Sequence, residues 1–117
     1  MKKANEFEEL LRQHLLIAAD LVNSAKAGNL NAATMHRKRW YDNADQIAEF
    51  LAEINPYWDN QKWRSMLYSH LEMTENEAIQ YLNKQYTASI IQYEDIENEA
   101  LEMADYMSLG IIKQFHI

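Results

Sequence analysis

Two histidines, His14 and His70, sit where helical apolar stripes would ordinarily carry leucine. His14 falls in the series Phe7, Leu10/Leu11, His14, Ile17/Ala18, Leu21, Ala25, and His70 in the series Trp63, Met66/Leu67, His70, Met73, Ala78. Both follow the three-and-four spacing of the inner face of an amphipathic helix. An imidazole on such a face must find partners for two polar nitrogens. Its chemistry is therefore that of a metal ligand, a contact for a small organic ligand or a buried hydrogen-bonding group.

A metal is the sharper of these readings. A helix rises about 1.5 Å per residue, so His14 and His70 each lie roughly 16 Å from the start of their helices. In an up-down-up-down bundle the first and third helices run parallel, which sets both imidazoles at one height. The same distance, counted back along the second and fourth helices, reaches Asn43 and the turn holding Glu97. One polar layer would then contain His14, His70 and Glu97 as ligands, with Asn43 supporting them. Two imidazoles and a carboxylate suit Zn²⁺ or Fe²⁺ with an open position. The competing reading is a hydrogen-bonded layer that sets helix register and needs no cofactor. It is favoured by the lack of any Glu-x-x-His, the pair from which di-iron bundles are built. His36, near a helix start, reads as a satisfied boundary residue, and His116 as a solvated tail residue.

Catalytic motifs are missing. There is no cysteine, so a nucleophile would have to be a hydroxyl beside a base. Ser69 and His70 are neighbours in sequence, but neighbours on a helix point about 100° apart. His36 has Thr34 close by, without a third group to orient it. No HExxH, phosphate loop or dinucleotide fingerprint occurs, and acidic pairs such as Glu8-Glu9 and Glu94-Asp95 read as solvated surface. The expectation is a protein that is not an enzyme.

The elements that position these residues are legible. Two glycines and one proline in 117 residues leave little punctuation for strands and turns, and the chain is rich in good helix formers. Helix one is predicted from about Lys3 to Ala27, closed by Gly28. Asn29 or Asn31 caps helix two, which Asn55-Pro56 stops after Ile54. Its inner face reads Ala33, His36, Trp40, Ala44, Ile47, Leu51, Ile54. Asp59 caps helix three, which runs to about Asn83 with a break near Met73-Thr74. Helix four starts near Tyr86 and reaches Ser108 or beyond, with Gly110 near its end. Its inner face reads Ile90, Tyr93, Ile96/Glu97, Ala100, Met103/Ala104, Met107, Ile111. The expected fold is all-α, an up-down-up-down four-helix bundle forming one domain over residues 1–117.

Several stretches resemble a family of small helical bacterial proteins from spore formers and their relatives. They are Trp40 to Leu51, Asn55-Pro56-Tyr57-Trp58, Tyr68 to Thr74 and Leu101 to Phe115. The resemblance extends over most of the chain after residue 10 and implies a helical fold without implying any chemistry. Typical members have a further upstream segment with its own histidine and tryptophan. Some carry the label acetylglutamate kinase. Such a kinase needs a large α/β scaffold and glycine-rich phosphate loops, which glycines at 28 and 110 cannot supply.

Net charge of −7, with the acids spread along the chain, argues against nucleic acid or an anionic membrane as partner. No apolar run approaches the roughly 20 residues of a membrane span. The acidic start MKKANEFEELL is unlike a signal peptide, and the lack of cysteine suits a reducing compartment, so a cytoplasmic location is expected. Trp40 and Trp63 belong to inner stripes. Trp58, with Tyr57, either caps the core or contacts another chain. The tail Ile111, Ile112, Phe115, Ile117 is too apolar to stand in water. A homodimer, or a complex with another protein, is the partnership this implies.

Overall fold

The computed structural model describes residues 2–117, and each helix begins and ends for a local chemical reason. Helix α1 spans Lys2–Lys26. Gly28 closes it at a φ of +75°, a conformation that costs glycine little. The Gly28 N–H donates to Ala25 O at 3.1 Å and that of Asn29 to Ser24 O at 3.0 Å, the two bonds of a Schellman turn. Of the two candidate caps for α2 (Leu30–Ile54), Asn29 serves, its Oδ1 accepting from the Ala32 N–H at 3.1 Å. Asn55, 1% exposed, then folds the chain back, its Oδ1 accepting from the Tyr57 N–H at 2.9 Å.

Asp59 caps α3 (Asn60–Leu82), accepting from the Lys62 N–H at 2.8 Å. The break expected near Met73-Thr74 is absent. Thr74 Oγ1 donates to His70 O at 2.7 Å, so the hydroxyl is satisfied inside the helix and does not compete with it. A second Schellman turn closes α3, with Lys84 at φ 62° in the position glycine usually takes. Helix α4 (Tyr86–Phe115) continues through Gly110, where the sequence places its end, and stops at His116 with φ 56°. The expected solvated tail residue is thus the helix cap.

Among the described residues there is no strand. The protein is all-α, and its four helices with short connections fit a four-helix bundle. The chain divides into two compact units, with the boundary after Ile47 inside α2. In the first unit α1 and the start of α2 run antiparallel, Asp20 facing Arg39 at 3.7 Å and His14 facing Asn43 at 2.9 Å. Its core is Ile17, Leu21, Ala33, Trp40, Ala44 and Ile47, residues the inner stripes of helices one and two name.

In the second unit α3 and α4 run antiparallel, from Trp63 against Tyr106 to Glu77 against Ser89 beside the turn. Trp58, Trp63, Met66 and Leu71 are buried there. The inner face of α4 is a correction to the sequence reading. Ile90, Tyr93, Ala100 and Ile111 of the expected stripe are exposed and Ile96, Met103 and Met107 half-buried, whereas Ser89 and Gly110 are buried and Gln92, Glu99 and Gln114 half-buried. The helix is rotated by about one residue from the orientation its hydrophobicity favours. Polar bonds and one close approach explain this: Ser89 bonds Glu77, Gln114 bonds Ile54 O, and Gly110 faces Trp58.

Candidate functional site

His14 is brought to Asn43 by the antiparallel register of α1 and α2. Asn43 is 3% exposed, and its Nδ2 donates to the carbonyl of Leu10 at 3.1 Å. That bond orients the amide so that Oδ1 faces His14 Nδ1 at 2.9 Å. An amide oxygen only accepts, so Nδ1 must carry the proton, and the neutral ring then presents Nε2 as its acceptor. Trp40, one turn before Asn43, stacks on the imidazole with ring centroids 5.4 Å apart and planes at 29°. Burial pushes the His14 pKa below its ordinary value, and the bond to Asn43 opposes that shift. The group is therefore held neutral, oriented and half-buried, with one nitrogen free for a hydrogen bond or a ligand.

Beside it lies an open hollow of about 390 Å³, lined by Gln13, Leu16, Ile17, Arg39, Asp42, Asn43 and Gln46. The walls mix amides and charges with the apolar Leu16 and Ile17, without a nucleophile and base at bonding distance. The expected satisfaction of His36 is observed, its Nδ1 accepting from Arg39 at 2.8 Å.

The remaining members of the expected layer, His70 and Glu97, belong to the second unit. His70 is half-buried on α3. Glu97 is exposed on α4, a correction to its place on the inner face, and it follows from the rotation of that helix. Among the described residues no group of three or more His, Asp or Glu side chains is placed to hold a metal ion. His14 offers one imidazole nitrogen, and a Zn²⁺ or Fe²⁺ centre needs three or four protein ligands.

A second constellation surrounds the Asn55–Asp59 connection. Trp58, 7% exposed, donates its indole N–H to Met107 O at 3.3 Å, and the Asp59 N–H donates to the Tyr106 hydroxyl at 2.9 Å. Trp63 packs edge-on between Trp58 and Tyr106, at 6.0 and 5.5 Å between centroids. Trp58 is thus a core cap, and only Tyr57 of that pair is exposed. What the sequence reading missed is the tie between Trp58 and Gly110. Its signal was a glycine retained inside a helix, the usual mark of a close approach.

Beyond Gly110 the last turns of α4 carry Ile111, Ile112 and Phe115, and Ile117 follows the cap, all exposed. Gln114, on the opposite side of these turns, donates to Ile54 O at 3.2 Å. No helix among the described residues is long and apolar enough to cross a membrane. The chain matches no protein-family model, no curated protein and no solved structure.

Proposed function

We propose that the protein is a non-catalytic helical interaction module that pairs with a second copy of itself through the carboxyl-terminal part of α4. The observation that carries this reading is the apolar tail. Ile112 is 44% and Phe115 63% exposed, on a helix pinned by Gly110 and Gln114, and Ile117 just past its end is 80% exposed. A pinned helix presents its side chains without an ordering cost at association, which favours binding.

Leu101 and Leu109 extend the exposed surface toward the middle of α4. With Ile111, Ile112, Phe115 and Ile117 they offer on the order of 600 Å² per copy, about 1,200 Å² for a pair, the lower bound of a stable interface. A patch that pairs with itself closes under two-fold symmetry and leaves no sticky end. The sequence supports the non-catalytic half of the reading, since it holds no catalytic motif, and the resemblance to a family of small helical proteins is consistent with it.

Light scattering at micromolar concentration tests the reading. The expected mass is twice the 13.8 kDa of the chain, and Ile112→Glu with Phe115→Glu returns it to one chain. A wild-type mass of a single chain would overturn self-pairing.

A further inference from the structure

The turn that joins α3 to α4 brings together three tyrosines that the reading above does not use. Tyr81 lies in the last turn of α3, and Tyr86 and Tyr93 lie about two turns apart on one face of α4. The rings of Tyr81 and Tyr86 meet at 68° with centroids 5.4 Å apart, so they form two walls of a corner. With Glu77, Ser89, Ile90 and Tyr93 they line a pocket of about 320 Å³, within the usual range of small-molecule sites, about 300–1,000 Å³.

One charged group lies in that lining, and it is an anion. Glu77 Oε1 accepts from Ser89 Oγ at 2.8 Å, and Ser89 is itself buried, at 5% exposure. The hydroxyl fixes the carboxylate without neutralising it, and none of the other lining residues is basic. Aromatic rings carry negative charge on their faces, so a corner of tyrosines attracts a cation and disfavours an anion. A compact ammonium such as that of lysine prefers water. A cation with a greasy, weakly hydrated head gains more from rings and an isoleucine wall. The chain's net charge of −7 adds a long-range attraction of the same sign.

We propose that this pocket binds a small organic cation with a quaternary ammonium head, seated among Tyr81, Tyr86 and Tyr93 with Glu77 as its counter-ion. A free cation fits better than a phosphate-bearing headgroup, because the Glu77 carboxylate would repel the phosphate. The pocket lies about 27 Å along α4 from the apolar tail. Its failure would leave self-pairing untouched, and the reverse holds.

A proton NMR titration of the full chain with choline tests this. Aromatic ring faces shield what lies against them, so the N-methyl resonance should move upfield and saturate. The neutral carbon isostere of choline, with the same shape and no charge, should bind about five-fold or more weakly, the worth of one cation–ring contact. Tyr81→Leu and Glu77→Gln should each weaken choline by a similar factor, and phosphocholine should bind less tightly than choline. Absence of a saturable shift, equal binding of the neutral isostere, or tighter binding of phosphocholine would overturn the proposal. The three wild-type arms decide it even if a variant fails to fold.

Discussion

Gly110 and Trp58 show how much one side chain can hold. A Cβ built on Gly110 falls on the indole Nε1 of Trp58, the atom that donates to Met107 O. Gly110→Ala must therefore displace a buried tryptophan and break its hydrogen bond. The expected cost is about 2–3 kcal/mol, at the upper end of overpacking changes, although alanine is the better helix former. Denaturant midpoints measure it, and the cost should shrink when Trp58→Ala is already present, because both changes act on one contact. At His14 the prediction concerns pH. Its folded pKa lies below the ordinary 6.5 because burial disfavours the charged form. The unfolded chain takes up the proton more readily, so stability is full above about pH 6.5 and declines as pH falls below it. Thermal midpoints of wild type and His14→Gln at pH 7.5 and 5.5 check this, and the wild type should lose more on acidification.

The same capping chemistry closes α1 with a glycine and α3 with a lysine. Gly28 and Lys84 share left-handed backbone, φ +75° and 62°, and each is followed by the long bond of a Schellman turn, to Ser24 O and to Gln80 O. For a residue with a Cβ that conformation costs about 1–2 kcal/mol. Lys84→Gly should accordingly stabilise the protein by about 1 kcal/mol, and Gly28→Ala should destabilise it by a similar amount. Equilibrium unfolding gives both signs in one experiment. The turn that Lys84 strains also sets the register in which Tyr81 meets Tyr86, so the first change should leave that aromatic corner in place. Helix α4 shows the converse: its hydrophobic pattern points to one orientation, and its bonds to α3 and to the end of α2 select another.

For the whole molecule, charge and apolar surface oppose each other. Two copies of a −7 chain repel, while the proposed pairing rests on attraction between the exposed α4 tails. Salt screens the first within about 8 Å at physiological ionic strength and leaves the second intact. Self-pairing should therefore tighten as sodium chloride is raised from low to physiological concentration, as read by sedimentation equilibrium. An interface built from surface ion pairs would weaken instead. The salt dependence thus separates an apolar tail contact from an electrostatic one.

Helix class and helix limits follow from residues that act locally. Gly28, Asn29, Asn55-Pro56 and Asp59 work within four residues of themselves, through φ restriction and side-chain capping, so their effect is written in sequence order. The inner stripes of α1 and α2 were legible for a related reason: Ile17, Leu21, Ala33, Trp40, Ala44 and Ile47 recur at helical spacing and are buried, although α1 also leaves Leu11, Leu15 and Leu16 exposed. The pairing of His14 with Asn43 could be foreseen from helix length alone, since antiparallel helices of equal length bring their middles together. The stacking of Trp40 on that imidazole could not. It depends on rotation about the helix axis, which residue counting leaves open. For Glu97 that same rotation decided the outcome. With Ser89, Gln92, Glu99 and Gln114 turned inward and Ile90 and Leu101 outward, hydropathy no longer marks the packed side of α4. Only tertiary structure supplies what makes three of these positions acceptable inside: a glutamate for Ser89, a carbonyl at Ile54 for Gln114, and an indole that requires glycine at position 110.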